Sequence, residues 1–582
     1  MRKIFERYRA ALLDGTFGIS HSRGDRGEDL DGKLFYAPDG TLRFSDVDYA
    51  CQNRADWGVM WHLTRLEFFA LSAARGEEGY ERSIALLDTW LRLDPRNPNW
   101  WYNEIGMPME LGVSAILLWD ALDGRRREAV LSLLARGIID ADTSTHKGKL
   151  TGANLLWFAA STLRYAILKN DPEMMNLAVS RAAAETEPGL EGLQDDGSFF
   201  QHGRRLYSGG YGRSFVAELA PMLFLTGETD YAFPRRAKEL LARHILDGLR
   251  YMTHRGMLDY AVVGREYVRP GVLSARGFAS TLMLLCRDAE FPRRDEILAY
   301  ARAIRSYDTT FEGMRHFWVA SFMTMQKNGV YISFKGAAPD VFEAELINDE
   351  NGLAYNLSYG SHTTVMQSGE EYRDIWSVWD YSAIPGTTAP EMTDEELNTP
   401  EFHAALMRVA PNLLASGGYS DGDVGVLYLT PLHDGVSSNV TAFATPYGMI
   451  VLGNSIKDEK GRALRTTVEQ AKCVAPVSEI PGGVRHGRVV YRSLDENAPL
   501  SYEVKVQSGS MRRNRLANPD VMTSAEILTV RVAPKKGHDR YAYVIAPLGV
   551  DCRSIEVLAN EGADVRIKLP DGRIYARDKR IG

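Results

Sequence analysis

A histidine and a tyrosine nine residues apart are the side chains of this sequence best suited to moving protons. His202 ends the segment Asp195-Asp-Gly-Ser-Phe-Phe-Gln-His202, and Tyr211 follows in Ser208-Gly-Gly-Tyr-Gly212. Imidazole and phenol groups act as general acids and bases when a fold holds them beside a substrate. Glycines around Tyr211 would let the backbone approach a ligand closely. A lone His or Tyr is usually structural, so the glycine-flanked pair is what indicates a proton-transfer site.

Two arginines and an asparagine are the next candidates. Arg265 and Arg269 stand four residues apart in Gly264-Arg-Glu-Tyr-Val-Arg-Pro270. They would share one face of a helix or converge on an anion, and a solvated surface pair is the ordinary alternative. Asn154 ends Thr151-Gly-Ala-Asn154, just before an apolar run, where capping a helix is the usual role of such a residue.

Adjacent tryptophans open the segment Trp100-Trp-Tyr-Asn-Glu-Ile-Gly106. Neighbouring residues of a helix point in different directions, so Trp100 and Trp101 cannot both face one core. At least one ring is expected to be exposed or to line a cleft, where its face could stack on a sugar ring. Packing in the core is the alternative for either residue.

Helices must position these residues, because helical periodicity dominates to about residue 310. Val59, Leu63, Leu66 and Ala70 follow the spacing of one helix face. Further helices are predicted at 108–136, 153–169, 214–226, 234–252 and 272–305. No repeat of fixed period is found, so a regular solenoid is disfavoured and a toroid of helical hairpins fits best.

After about residue 315 the pattern becomes that of strands. Short runs rich in β-branched and aromatic residues, at 329–334, 424–429, 449–452 and 541–545, are separated by Gly, Asp and Asn. Such runs predict a large antiparallel β-sandwich region, with one helical exception around 394–408. The boundary between the two parts is expected near 310–318.

Composition excludes several classes of protein. A net charge of −8 over 582 residues argues against general nucleic-acid binding, which favours a basic balance. The four cysteines, Cys51, Cys286, Cys473 and Cys552, form no CxxC pair and predict neither a zinc site nor a disulfide scaffold. No signal peptide or apolar membrane span is visible, so a cytoplasmic location is expected for the chain as written, and a secreted or periplasmic one if it is trimmed.

The order and spacing of these motifs resemble polysaccharide lyase family 8, which includes hyaluronate, chondroitin AC and xanthan lyases. The family shows N-W-W-x-x-E-I-G, T-G-A-N and D-G-S-(F/Y)-x-x-H, then a tyrosine in G-x-Y-G nine residues after the histidine, and then an arginine pair. The segments Glu345–Gly352 and Ile384-Pro-Gly-Thr-Thr388 are similar to its N-G-E-N and L-P-G-T-T segments. The resemblance runs in collinear order from about residue 95 to 550.

The resemblance implies an incomplete α/α toroid over 1–314, antiparallel β-sandwich domains over 315–582, and β-elimination on 4-linked uronic-acid glycans. Tyr211 would serve as base and acid, with Arg265 lowering its pKa, while Asn154 and His202 would contact the substrate carboxylate. Glu345 and Asn348 would orient these groups. Trp100, Trp101, Arg269 and Asn348 would also bind the substrate. No metal and no cofactor are implied. The expected partner is an anionic polysaccharide or oligosaccharide, and no nucleic-acid or membrane partner is expected. A monomer is the default.

Three departures from the family pattern leave the particular polysaccharide open. Met107-Pro-Met109 replaces Thr-Pro-Arg, Asn348-Asp-Glu-Asn351 replaces N-G-E-N, and Val263 stands where an arginine is common. Hyaluronan, chondroitin and xanthan remain candidates, as do endolytic and exolytic action.

Two other functions compete with the lyase. A glycoside hydrolase on a helical toroid would need paired carboxylates about 5–9.5 Å apart. The candidates for that pair are Glu104, Asp195, Asp196 and Glu350. A non-catalytic carbohydrate-binding protein is the other alternative, and the intact set of Asn154, His202, Tyr211 and Arg265 argues against it.

Overall fold

The computed structural model describes residues 1–18, 29–140, 148–308, 311–341, 344–348, 350–354, 357, 361–406 and 413–581. The chain divides into two compact units. Unit 1 comprises Met1–Glu187, Ser214–Leu241 and Thr281–Pro292. Unit 2 comprises Pro188–Arg213, Ala242–Ser280 and Arg293–Gly582.

Helices make up most of the structure before residue 307. The helices are α1 Arg2–Leu13, α2 Trp61–Ala74, α3 Tyr80–Leu93, α4 Met107–Leu118, α5 Gly124–Leu134, α6 Gly152–Lys169, α7 Pro172–Ala184, α8 Tyr211–Thr226, α9 Arg235–Arg243, α10 Phe278–Leu285, α11 Arg294–Ser306, α12 Asp394–Leu397 and α13 Pro400–Leu406. Consecutive helices pack on each other in unit 1, as α2 does on α3 and α6 on α7.

Local signals explain where these helices begin and end. The side chain of Asp171 accepts hydrogen bonds from the backbone N–H groups of Glu173 and Met174, and Pro172 occupies the first helical position of α7. Such a cap satisfies donors that a helix start leaves unpaired. Helix α6 ends at Lys169, and the next residue, Asn170, has a φ of 57°, the left-handed conformation that terminates helices.

Antiparallel strands are the main regular elements after residue 312. The strands are β1 Leu34–Tyr36, β2 Leu42–Phe44, β3 Gly192–Leu193, β4 Phe199–Gln201, β5 Arg205–Leu206, β6 Thr253–His254, β7 Met257–Leu258, β8 Gly313–Phe317, β9 Phe322–Lys327, β10 Val330–Lys335, β11 His362–Met366, β12 Thr388–Pro390, β13 Leu413–Ser420, β14 Gly425–His433, β15 Val436–Thr445, β16 Gly448–Asp458, β17 Leu464–Lys472, β18 Val477–Ile480, β19 Gly483–His486, β20 Val489–Ser493, β21 Leu500–Ser510, β22 Met522–Val532, β23 Tyr541–Pro547, β24 Glu556–Glu561, β25 Asp564–Lys568 and β26 Ile574–Ala576.

An eight-stranded sheet with the order β13-β14-β15-β16-β23-β20-β19-β18 is the centre of unit 2. Successive side chains of a strand point to opposite faces of the sheet. In the middle strands of this sheet, the side chains on both faces are buried. Met449 and Val451 of β16 belong to one apolar cluster, which includes residues of the sheets β11-β10-β9-β8 and β12-β17-β22-β21. Ile450 and Leu452 belong to a second cluster, which includes residues of the sheet β24-β25-β26.

The predicted fold class, a helical part followed by antiparallel β-sheets, is confirmed. Helix α11 ends at Ser306 and strand β8 begins at Gly313, while the domain boundary itself stays a prediction. The helix predicted at 108–136 is two helices separated at 119–123, and that at 272–305 is interrupted at 286–293. The last residues of the helix predicted at 394–408 lie outside the described residues.

Candidate active site

A buried carboxylate, Glu345, is the centre of the polar cluster in unit 2. Its Oε1 accepts a hydrogen bond from His202 Nδ1 at 2.7 Å. Its Oε2 accepts from the Tyr207 hydroxyl at 2.6 Å and from Arg265 at 2.6 Å. The side chain of Glu345 is only 4% exposed, so these partners replace the water that the charge would otherwise bind. Four residues separated by up to 143 positions in sequence are thereby held together.

A second carboxylate, Glu350, anchors three arginines. Arg265 Nε donates to its Oε2 at 2.9 Å, and Arg269 donates to both oxygens at 3.0 and 2.9 Å. Arg515 Nε lies 2.6 Å from Oε1. The arginine pair of the sequence therefore does converge on an anion, but the anion is a side chain of the protein. Since Arg269 also contacts Glu266, it is a well-anchored residue of the site.

Tyr211 lies against the rings of His202 and Tyr207. The ring centroids of His202 and Tyr211 are 4.9 Å apart, and those of Tyr207 and Tyr211 are 5.0 Å apart with the rings perpendicular. Tyr211 is the first residue of α8 and is 8% exposed. Edge-to-face contacts of this kind fix the orientation of each ring. The structure thus brings together His202, Tyr211, Arg265, Arg269 and Glu345 of the residues predicted from the sequence.

Glycine has a different role here from the one expected. We expected the glycines beside Tyr211 to admit a ligand, but in the structure they admit the chain segment that carries Arg265. A Cβ on Gly210 would lie 2.7 Å from a Glu266 carboxylate oxygen, and one on Gly264 would lie 2.0 Å from the Tyr207 ring. Gly264 also has a φ of 53°, which favours glycine.

A tight turn presents His202. Strands β4 and β5 pair through Gln201 and Arg205, so residues 202–204 form the loop between them. His202 has a φ of 55°, and Arg205 donates to its carbonyl oxygen. This strained conformation is fixed by its surroundings, as is common for residues at functional sites.

Burial and charge act in opposite directions on the two carboxylates. Burial alone would raise the pKa of Glu345, but the hydrogen bond from His202 and the charge of Arg265 lower it well below its usual value. Burial also raises the pKa of Glu350, and the hydrogen bond and charge of Arg269 lower it by more. Both groups are therefore carboxylates at neutral pH.

Tyr211 shows the opposite balance. Burial raises its pKa, while the positive charge of Arg265 lowers it and the charges of Glu266 and Glu345 raise it further. Arg265 acts in the expected direction, but the pKa as a whole is raised. The main reason is that the phenol lies away from water, and the negative charges of Glu266 and Glu345 add to this effect.

Trp100, Trp101 and Asn154 belong to unit 1. Trp100 stacks on Phe158 with ring centroids 6.5 Å apart, and Trp101 meets Trp157 edge-on at 5.7 Å. Both tryptophans are half-buried, as expected for rings that do not share one core. They are followed by a π-helical turn at Tyr102–Gly106, a rare geometry that is frequent at functional sites.

Asn154 lies inside α6 rather than at its cap. Thr151 occupies the N-cap position and Asn154 follows three residues later. Asn154 is therefore not the residue that caps α6, and its side chain is half-buried.

Sequence reasoning missed four residues that build the cluster. Tyr207 and Arg515 were not considered, Glu350 was considered only as a hydrolase carboxylate, and Asn351 only as part of a motif. Asn351 donates to the Glu345 carbonyl at 3.2 Å and accepts from Tyr267. Asn348, the residue predicted in that segment, is half-buried in a left-handed turn with φ 54°.

The carboxylates that a hydrolase would need have structural partners. Asp196 is 2% exposed and accepts hydrogen bonds from Ser198 and from the backbone N–H groups of Val319 and Ala320. Asp195 is exposed, with Arg243 at 4.0 Å. Glu350 is surrounded by arginines, whose charge opposes the protonated form that a general acid needs. These contacts disfavour the hydrolase.

Among the described residues, no group of three or more His, Cys, Asp or Glu side chains is arranged to hold a metal ion. None of the helices that the structure describes is both long and apolar enough to cross a membrane.

Comparison with known proteins covers nearly the whole chain. Residues 34–303 match the family model described as polysaccharide lyase family 8, N terminal alpha-helical domain, and 312–555 match that of its super-sandwich domain. A chondroitinase-AC of Pedobacter heparinus is 24% identical over 547 residues, which cover 88% of this chain and 75% of that protein. A xanthan lyase of Bacillus sp. is 24% identical over 333 residues, covering 50% of this chain and only 34% of the relative.

Solved structures share the fold. The structure of a chondroitinase AC lyase, studied in complexes with oligosaccharides, aligns with a TM-score of 0.83 at 21% identity, covering 98% of this chain and 88% of that one. The fold, the site and the family models together define a carbon–oxygen lyase that acts on polysaccharides. The chain belongs to polysaccharide lyase family 8.

Proposed function

We propose that this lyase cleaves 4-linked uronic-acid glycans of the chondroitin or hyaluronan type by β-elimination, with Tyr211 as the proton-transfer residue. The observation that carries the proposal is the contact of Tyr211 with His202, whose imidazole is bound to the ionised Glu345. The names of the relatives, chondroitinase-AC and xanthan lyase, support polysaccharides as substrates.

The reaction removes a proton from C5 of the uronic acid and breaks the bond from C4 to the glycosidic oxygen. That proton is weakly acidic, because the neighbouring carboxylate opposes a second negative charge. Tyr211 takes the proton, the C4–C5 double bond forms, and Tyr211 then gives a proton to the departing oxygen. The same side chain serves both steps, so the proton count balances.

His202 provides a route by which Tyr211 becomes a phenolate. Its Nδ1 lies 2.7 Å from Glu345 and 3.2 Å from Arg265, and it cannot donate to one and accept from the other at once. The shorter contact to the charged carboxylate assigns the proton to Nδ1, which leaves Nε2 as an acceptor. The Tyr211 proton moves to Nε2, and Glu345 stabilises the resulting imidazolium. Arg265 stabilises the phenolate, and the proton returns after cleavage.

Asn154, Trp100 and Trp101 stay predictions from the sequence. We propose that Asn154 hydrogen-bonds the substrate and that the two tryptophans contact sugar rings. Asn348 and Arg269 stay in the proposal as substrate contacts near the arginine cluster. A non-membrane location also stays a prediction.

The ultraviolet absorbance of the C4–C5 double bond tests the proposal directly. We would mix the protein with chondroitin, hyaluronan and xanthan, and with their oligosaccharides. Tyr211→Phe is expected to lower the rate by about 10²–10⁴-fold, the usual contribution of a positioned acid or base. Tyr260→Phe is the matched control, because it removes another buried hydroxyl of unit 2, which contacts the Thr363 carbonyl.

Three outcomes decide between the hypotheses. Absorbance that rises with the wild type and with Tyr260→Phe, but not with Tyr211→Phe, supports the mechanism and names the substrate. Full activity in Tyr211→Phe refutes its role. New reducing ends without absorbance would mean hydrolysis and would refute the elimination.

A further inference from the structure

Strand β21 is an exposed edge of unit 2. It is the last strand in the sheet β12-β17-β22-β21 and is 11 residues long. Residues 501–506 are all exposed. Its two ends are less open, since the Leu500 end lies near β19 and β20 and a Cβ on Gly509 would meet the Ser377 carbonyl. The free stretch is therefore the middle of the strand.

The hydrogen bonds to β22 show which residues face outward. Ala533 N donates to Pro499 O at 2.8 Å, and the register continues from Leu500 opposite Val532 to Ser510 opposite Met522. Hydrogen-bonded pairs alternate along an antiparallel ladder, so the odd-numbered residues of β21 bond to β22. The N–H and C=O groups of Tyr502 and Val504, and of Val506, therefore point to the outer edge.

The side chains of β21 alternate between an apolar face and a charged face. Tyr502, Val504 and Val506 share one face and are 39%, 43% and 61% exposed. Glu503 and Lys505 share the other face, where Glu503 also contacts Arg531 at 3.3 Å. An exposed edge strand with unpaired backbone N–H and C=O groups is a template for pairing with another strand.

We propose that β21 pairs antiparallel with β21 of a second copy of this chain, in a two-fold dimer centred on Val504. In that register Val504 faces Val504 of the partner subunit, and Tyr502 faces the partner's Val506. The outward-pointing even-numbered residues become the hydrogen-bonded pairs, as an antiparallel ladder requires. Both chains contribute the same surface, so the contact is closed and self-complementary.

Charge selects this register. Centring on Val504 places Glu503 opposite the partner's Lys505, and Lys505 opposite the partner's Glu503. Centring on residue 503 or 505 would instead oppose two glutamates or two lysines, which is unfavourable for directly facing residues. A groove of about 730 Å³ beside the Leu500 end, lined by Ile480, Arg492 and other residues, leaves room for the end of the partner's strand.

Sedimentation velocity of the full chain over a range of micromolar concentrations tests the dimer. The wild type is expected to shift from the 65.0 kDa chain to twice that mass as concentration rises. Glu503→Lys converts two attractive pairs into two repulsive ones and should weaken the dimer about tenfold or more. Lys505→Glu should do the same. The double exchange E503K/K505E restores opposite charges and should restore the dimer.

Two controls separate this contact from other effects. Glu503→Gln removes the pair without creating repulsion, and should therefore weaken the dimer less than Glu503→Lys. Val504→Cys should form a disulfide-linked dimer on oxidation, because facing residues bring the Cα atoms within roughly 5.5 Å. Ser508→Cys, on the same strand and with the same native cysteines, should not, since the two copies of that residue would be roughly 27 Å apart.

The results can overturn the proposal. A wild type that stays monomeric at all concentrations refutes it. So does a dimer that neither charge reversal weakens, or a double exchange that fails to restore one. Cross-linking of Ser508→Cys as efficient as that of Val504→Cys would refute the register.

Discussion

Replacing Glu345 by glutamine should destabilise the protein strongly, although the two side chains have almost the same shape. The carboxylate accepts hydrogen bonds from His202, Tyr207 and Arg265 at 2.6–2.7 Å. The glutamine amide has only one acceptor oxygen. Its N–H group would face donors of the cluster that have no other acceptor in that direction. Arg265 keeps Glu350 as a partner, so we expect a loss near the lower end of the 3–5 kcal/mol typical of a broken buried ion pair, about 3 kcal/mol.

Glu391→Gln is the matched control for this substitution. Glu391 lies 2.6 Å from Arg465, the same distance that joins Glu345 to Arg265, but its side chain is 58% exposed rather than 4%. Exposed ion pairs contribute about 0–1 kcal/mol. The two substitutions are chemically identical, so the burial of Glu345 and its additional bonds to His202 and Tyr207 should separate their effects by about 2 kcal/mol or more in equilibrium urea unfolding.

The pH dependence provides a second check on the same side chain. The pKa of Glu345 is lowered in the folded protein, so its contribution to stability is full above the unfolded pKa of about 4.3 and is lost as pH falls through the folded value. The difference between wild type and variant should therefore be constant near neutral pH and shrink in acid. Equal losses of stability for Glu345→Gln and Glu391→Gln at neutral pH would refute the reasoning.

Three further predictions concern other groups of unit 2. Tyr207→Phe removes the hydroxyl between Arg265 and Glu345, and should cost about 1–3 kcal/mol in urea unfolding and slow product formation; unchanged stability would contradict the described contacts. Gly264→Ala should destabilise the protein and lower the rate, because the new methyl would lie 2.0 Å from the Tyr207 ring and the φ of 53° disfavours alanine; wild-type activity would count against that packing. Burial raises the pKa of Glu469 to about 7, so the folded state favours its neutral form, and stability should fall by about 3 kcal/mol as pH rises from the unfolded pKa through 7. Glu469→Gln should flatten that fall, and an equal slope in both proteins would refute it.

Periodicity predicted most of the fold. Leu63, Leu66 and Ala70 lie on the buried face of α2, and the strand runs at 449–452 and 541–545 became the central strands of the largest sheet. These patterns are reliable because helix and strand expose side chains with fixed periods of 3.6 and 2 residues. The break at 119–123 was missed because Trp119, Ala121 and Leu122 continue the apolar pattern across it.

The sequence alone indicated which residues to examine at the site, mainly through motif order. His202, Tyr211, Arg265 and Glu345 carried motifs, and the structure places them together. Tyr207 had no motif of its own, and its partner Glu345 is 138 residues away, so no local pattern could reveal the pair.

Residue identity and spacing determined the secondary structure, the family and the set of chemically competent side chains, because those depend on short-range geometry. Only the tertiary structure decided the electrostatics. Arg265 alone would predict a lowered pKa for Tyr211, but burial removes the water around the phenol, and the negative charges of Glu266 and Glu345 add to this effect. The strength of a charge depends on everything packed around it, and that packing is assembled from residues far apart in the chain.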